Sequence, residues 1–178
     1  MKPLILIGYR GTGKTTIAQK VSEQLQIPVI DSDWEIEHRA GKSIADIFAQ
    51  DGESAFRDLE ESVIVEILQR NDSKQFVLAT GGGVVLRPET CYRLKNAGYV
   101  VWLTAAPKTI LYRIQGDSAS ATMRPNLTSL TQLDEIVSLL EKRKPLYAET
   151  AHEIIETDFL KPVEITDKII AHYQADNK

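Results

Sequence analysis

The chain has 178 residues, which suits one domain with a sizeable core and leaves little room for a second. Apolar residues make up 43% and charged residues 26%, and 21 Lys and Arg against 25 Asp and Glu leave a net charge of −4. That balance excludes a global basic field for nucleic acid or an anionic membrane, and the single cysteine, Cys91, excludes an internal disulfide or a thiolate metal cluster.

Leu4-Ile5-Leu6-Ile7 reads as a first strand, central and buried on both faces. Gly8 to Thr15 then reads Gly-Tyr-Arg-Gly-Thr-Gly-Lys-Thr, an instance of G-x-x-x-x-G-K-[ST]. Its glycines let successive backbone N–H groups turn inward on phosphate oxygens, and the helix that follows offers its positive end to the same anion. Lys14 can reach the β- and γ-phosphates, and the Thr15 hydroxyl can sit on Mg²⁺. The strand before and helix after the motif make it a nucleoside triphosphate site rather than a bare glycine turn. No basic leader followed by a long apolar run precedes it, and no stretch approaches the apolar length of a membrane span, so a cytoplasmic protein is expected.

Helical spacing of Ile17, Val21 and Leu25 predicts a helix over 15–25, and Ile27 to Ile30 a short strand ending at Asp31. Two short helical pieces punctuated by Gly41 are expected between Asp33 and Gln50, the second capped by Ser43, and a longer amphipathic helix from Glu53 to Arg70. Phe76 to Ala79 is the third strand. Pro88 to Ala97 is a helix closed by Gly98 in the left-handed conformation. A strand over 99–103 and a helix over 108–115 follow. The aperiodic stretch 116–131 reads as a mobile lid. A helix over 133–147, a strand over 152–156 and a helix over 163–173 complete an α/β chain, a five-stranded parallel sheet flanked by helices with ligands at the strands' carboxyl ends.

Several residues fit chemistry at that edge. Asp31 and Asp33, two apart on an extended segment, would point the same way, one toward a metal shell and one toward an acceptor hydroxyl. An N-cap is the plainer reading of Asp31, but the third strand ends in Thr80 and three glycines with no acid, which leaves Asp31 as the substitute. Gly81, Gly82 and Gly83 signal close approach of a loop or a substrate, and the position favours substrate. Arg57 and Arg143 can hold a carboxylate by paired hydrogen bonds, and Arg124 can swing over a transferring phosphoryl group.

Together these residues resemble the shikimate kinase family over essentially the whole chain. The carrying motifs are the Gly8–Thr16 loop, Asp31-Ser32-Asp33, Gly52-Glu53 with Phe56-Arg57 and Glu60, Gly81-Gly82-Gly83, Met123-Arg124-Pro125, and Arg143 with Tyr147 four residues on. The resemblance implies a P-loop kinase fold like that of nucleoside-monophosphate kinases, as one domain over 1–178 with an acceptor region over 32–70. It implies transfer of the ATP γ-phosphoryl group to the 3-hydroxyl of shikimate. Gly11, Thr12, Gly13, Lys14, Thr15, Thr16 and Arg124 would bind ATP. Asp33, Arg57, Gly82 and Arg143 would bind shikimate, with Gly81 and Gly83 shaping the site. Thr15 would ligate Mg²⁺, and Asp31 would hold it through water. Asp33, Lys14 and Arg124 would carry the catalysis.

One departure stands out. The family's late arginine before a proline, packed on adenine, is absent from Thr157-Asp158-Phe159-Leu160-Lys161-Pro162, and Arg113 is the alternative platform. Nothing demands more than a monomer, and no nucleic-acid or membrane partner is expected. The rival enzyme is a gluconate- or nucleoside-monophosphate-kinase-like protein, although a nucleotide acceptor would want a second phosphate site. A non-catalytic ATP- or shikimate-binding module is a further alternative, but it would be expected to lack Lys14, Asp33 or a clamp arginine.

Overall fold

Leu4–Ile7 form β1, and all four residues are wholly buried, as a strand covered on both faces must be. In the computed structural model of the protein, residues 2–70, 75–116 and 131–177 are described. β1 lies in the middle of a five-stranded sheet with β2 (Val29–Asp31), β3 (Val77–Ala79), β4 (Tyr99–Thr104) and β5 (Glu153–Glu156). The order is β2-β3-β1-β4-β5 and every pairing is parallel, with Ile5 opposite Leu78 on one side and Val100 on the other.

Alternation along β1 divides the core. Ile5 and Ile7 face α2 (Ser32–Ala40), α3 (Ile44–Arg70), α4 (Pro88–Ala97) and α6 (Gln132–Thr150), through Ile36, Phe56, Ile64, Leu94 and Tyr147. Leu4 and Leu6 face α1 (Lys14–Leu25) and α7 (Pro162–Asp176), through Ile17, Val21, Ile165 and Ile169. A third, smaller cluster joins Tyr9 to Ile110 of α5 (Pro107–Gly116) and to Ile136 and Leu140 of α6. Tyr9 lies in the turn after β1, so this cluster ties the phosphate-type loop to the helices above it. No helix among the described residues is long and apolar enough to cross a membrane.

The expected strands and helices are present, with ends displaced by at most three residues. Ser43 caps its helix as expected, its hydroxyl accepting from Asp46 N at 3.1 Å. Gly52 breaks α3 at φ 82 and ψ 173, just before the Glu53–Arg70 part. A 3₁₀ turn over Val84–Leu86 follows the three glycines and carries no periodicity that would announce it.

Two expectations fail. Gly98 is not a left-handed cap: its φ is −151 and its ψ −178, extended backbone leading into β4. Glycine is needed there for space, because a Cβ would come within 2.4 Å of the Pro3 carbonyl oxygen. Asp31 and Asp33 do not share an extended segment either, since α2 begins at Ser32 and Asp33 already lies in its first turn. The lid region 116–131 falls outside the described residues except at its ends, where Gly116 closes α5 and Thr131 caps α6. Met123, Arg124 and Pro125 lie outside them.

Candidate active site

The loop after β1 reverses sharply, and its first glycine has a tertiary reason to be one. Gly8 has φ 142, and a Cβ on it would sit 2.3 Å from the Leu103 carbonyl oxygen of β4. Lys14 opens α1 and is almost buried; its Nζ donates to the carbonyls of Gly8 at 2.8 Å and Tyr9 at 3.0 Å. The α1 N-cap, Gly13, brings no side-chain acceptor to the first-turn N–H groups. Those donors and the Lys14 ammonium make the loop an anion cradle.

Asp31 is both a cap and a ligand-type carboxylate. One oxygen accepts from the backbone N–H of Asp33 at 2.9 Å and of Trp34 at 3.4 Å, while the other accepts from the Thr15 hydroxyl at 3.3 Å. The N-cap expectation thus holds at one oxygen, and the other oxygen meets the Thr15 hydroxyl. Burial first, and the neighbouring Asp33 charge second, push the Asp31 carboxyl above its ordinary range, against the pull of those hydrogen bonds. A nearby cation would relieve both effects.

The three glycines after β3 gather the rest. Gly81 N donates to Ser32 Oγ at 3.0 Å, which ties the strip to the start of α2. Gly82 packs on the phosphate-type loop, where a Cβ would lie 3.1 Å from Arg10 N. Its carbonyl accepts from Arg143 at 3.1 Å and from the Tyr147 hydroxyl at 2.5 Å, two α6 residues one turn apart on one face. Gly83 faces the Arg57 guanidinium, whose atoms would lie 2.3 to 2.5 Å from a Cβ there. The close approach at Gly82 and Gly83 is made by the protein's own atoms, the loop at Gly82 and the Arg57 side chain at Gly83.

Arg57 is 6% exposed and pairs with buried Glu60 at 2.5 Å and exposed Glu53 at 3.4 Å, over the face of the Phe56 ring. Its Nε is buried with no hydrogen-bond partner among the described residues. Arg143 is 7% exposed and also lies over the Tyr9 ring. Two guanidinium groups, from α3 and α6, thus meet at adjacent glycines, the first of which abuts the phosphate-type loop.

A cavity of about 680 Å³ runs along that loop. Lys14, Thr15, Asp31, Asp33 and Gly82 line one end, and Arg113, Thr157, Leu160 and Pro162 the other. Arg113 is fixed by donating to the Thr157 hydroxyl at 2.8 Å and the Thr157 carbonyl at 2.9 Å, so its guanidinium forms a fixed planar wall. Sequence reasoning assigned no role to Thr157, Tyr147 or Ser32. Only Tyr147 carried a usable signal, its helical spacing from Arg143.

A family model described as shikimate kinase matches residues 10–174. A shikimate kinase of Rhodopirellula baltica is 41% identical over 167 residues, 94% of this chain and 88% of that protein. One from Paracidovorax citrulli is 46% identical over 153 residues, 86% and 81% of the two chains. Among solved structures, a shikimate kinase from Acinetobacter baumannii in complex with shikimate superimposes with a TM-score of 0.89 at 34% identity, over 99% of this chain and 94% of that one.

Proposed function

The chain belongs to the shikimate kinase family, and on that premise we propose how its residues transfer the γ-phosphoryl group of ATP to the 3-hydroxyl of shikimate, giving shikimate 3-phosphate and ADP. The observation that carries the reading is the glycine strip: Gly82 and Gly83 put two buried guanidinium groups beside the phosphate cradle. A small hydroxy-acid gripped there by its carboxylate would present a hydroxyl to the end of a triphosphate.

Gly11, Thr12, Gly13, Lys14, Thr15 and Thr16 hold the phosphates by backbone N–H groups, the Lys14 ammonium and the hydroxyls. Arg57 and Arg143 clamp the shikimate carboxylate, which fixes the ring. Asp33 accepts from ring hydroxyls and orients the attacking one. Arg124 completes the charge neutralisation. The protein's work is positioning and electrostatics, as phosphoryl transfer requires. The Arg113 guanidinium, with Leu160 and Pro162 in the same cavity lining, would offer adenine a platform.

The donor set suits Mg²⁺. The Thr15 hydroxyl and the Asp31 carboxylate are adjacent, and no group of three His, Cys, Asp or Glu among the described residues forms a richer cage. Thr15 would ligate the ion and Asp31 would hold it through water; bound there, the ion would supply positive charge against the triphosphate. The same reading expects a cytoplasmic monomer, which would sediment at the mass of one chain, 19.9 kDa.

A coupled ADP-release assay with Mg²⁺, ATP and shikimate tests the reaction. Shikimate-dependent ADP release is expected. Turnover with gluconate or a nucleoside monophosphate, and none with shikimate, would overturn it.

A further inference from the structure

The sequence has nine arginines, and all but Arg124 lie among the described residues. Seven of those eight are bonded: Arg39, Arg57, Arg70, Arg87 and Arg93 to carboxylates, Arg113 to Thr157 and Arg143 to the Gly82 carbonyl. Arg10 alone makes no hydrogen bond or ion pair with any described residue, and its Nε is buried without a partner.

Its position is specific. Arg10 lies inside the phosphate-type loop, its backbone N abuts Gly82, and its side chain lines the cavity with Lys14 and Asp33. Its guanidinium carbon lies 5.9 Å from the centroid of the buried Tyr9 ring, and that of Arg143 lies 5.8 Å from the same centroid. The electron-rich ring face attracts both cations but leaves them mutually repelled. A partly desolvated guanidinium with no acceptor among the described residues is stabilised when an anion enters. Arg143 and Arg57 already converge on the acceptor glycines, whereas Arg10 belongs to the loop that cradles phosphate.

We propose that Arg10 is a further catalytic residue, donating from its guanidinium to the oxygens of the γ-phosphoryl group in transit. This rests on the reaction proposed above. In that step the bond from the γ-phosphorus to the ADP oxygen breaks and one to the shikimate 3-oxygen forms; the hydroxyl proton leaves to Asp33 or solvent, with no change of oxidation state. Arg10 stabilises the spread of charge on the three oxygens that take part in neither bond.

Arg10→Met, which removes the charge and keeps the length, and Arg10→Lys are assayed beside the wild type by ADP release, calorimetric titration of ADP and of shikimate, and thermal melting. The Met variant should lose about tenfold to a hundredfold in kcat while ADP and shikimate affinities stay within about twofold, and the Lys variant should recover part of the loss. A kcat within about twofold of wild type overturns the proposal. So does a loss confined to shikimate affinity, which makes Arg10 a carboxylate ligand, or a lowered melting temperature with lost ADP binding, which makes it structural. A wild type without shikimate-dependent ADP release sinks the reaction itself, whereas an active wild type with an unaffected Met variant sinks only the role of Arg10.

Discussion

At Gly83 the absence of a side chain is what lets Arg57 lie where it does, since any Cβ would occupy the guanidinium's own space. Gly83→Ala should displace Arg57 from Glu60 and the Phe56 ring rather than unfold β3, because the group that must yield is a side-chain end. A charge-assisted hydrogen bond is worth about 1.5–3 kcal/mol, so the KM for shikimate should rise on the order of tenfold to a hundredfold. Arg57→Ala should do the same, and the double variant little more, because both changes remove one interaction; additive effects in steady-state kinetics would dissociate the two residues. His152 poses a residue-scale question far from the cavity. Its Nδ1 accepts from Val100 N at 3.0 Å while its own N–H donates to Val100 O at 2.8 Å, which extends the β4–β5 ladder by one rung. That acceptor role requires the neutral ring, and desolvation, then the Lys95 charge, hold its pKa below the ordinary value. The unfolded chain therefore binds the extra proton first. This contribution to stability is full above about pH 6.5 and is lost as pH falls through the lower folded value. His152→Asn keeps an acceptor without the titration, and the urea midpoint should depend less on pH between about 7 and 5 than in the wild type.

At the scale of elements, two glycines break or end helices for opposite reasons. Gly52 has a backbone conformation that side chains rarely adopt, with open space where a Cβ would go, whereas Gly98 has ordinary extended backbone and no space. Gly52→Ala should cost about 1–3 kcal/mol of unfolding free energy through the backbone alone. Gly98→Ala should act through Pro3, whose carbonyl accepts from Tyr99 N at 2.9 Å. The Tyr99 amide should then exchange faster in that variant and not in Gly52→Ala, and equal exchange in both would refute the distinction. The pair also marks what the sequence can convey. Gly98 after a helix reads as a left-handed cap because that is the local use of glycine, while the Pro3 clash joins residues far apart in the chain. Leu4–Ile7, Gly8–Thr15 and the Ser43 cap were legible because their signals lie within a few residues. Asp31 was half legible. Two acids at spacing two suggest an extended pair, yet Asp31 itself caps the helix that begins at Ser32, and so turns Asp33 out of the strand.

At the scale of the molecule, a net charge of −4 gives no general attraction for two anionic substrates, so the cationic groups must be concentrated at one seam. That seam is the end of β3. Gly82 touches the phosphate-type loop through Arg10 N, and its carbonyl is held by Arg143 and Tyr147 of α6. Tyr9 meets α5 and α6 from the loop side, and its ring carries Arg143. If Arg57 and Arg143 clamp the carboxylate as proposed, a shift of the loop on nucleotide binding should reach them through Gly82 and Tyr9. The two affinities should be linked, with ADP changing the shikimate affinity and shikimate changing the ADP affinity by one common factor. Tyr147→Phe removes the buried hydroxyl that fixes the Gly82 carbonyl on α6 and retains the ring packed on Trp102. Loss of that hydrogen bond should lower stability by about 0.5–1.5 kcal/mol. It should also bring the linkage factor closer to one while leaving ADP affinity in the absence of shikimate unchanged. Calorimetric titration of each ligand, alone and with the other present, measures all four affinities of the cycle; a factor in Tyr147→Phe equal to that of the wild type would show that the coupling does not pass through the Gly82 carbonyl.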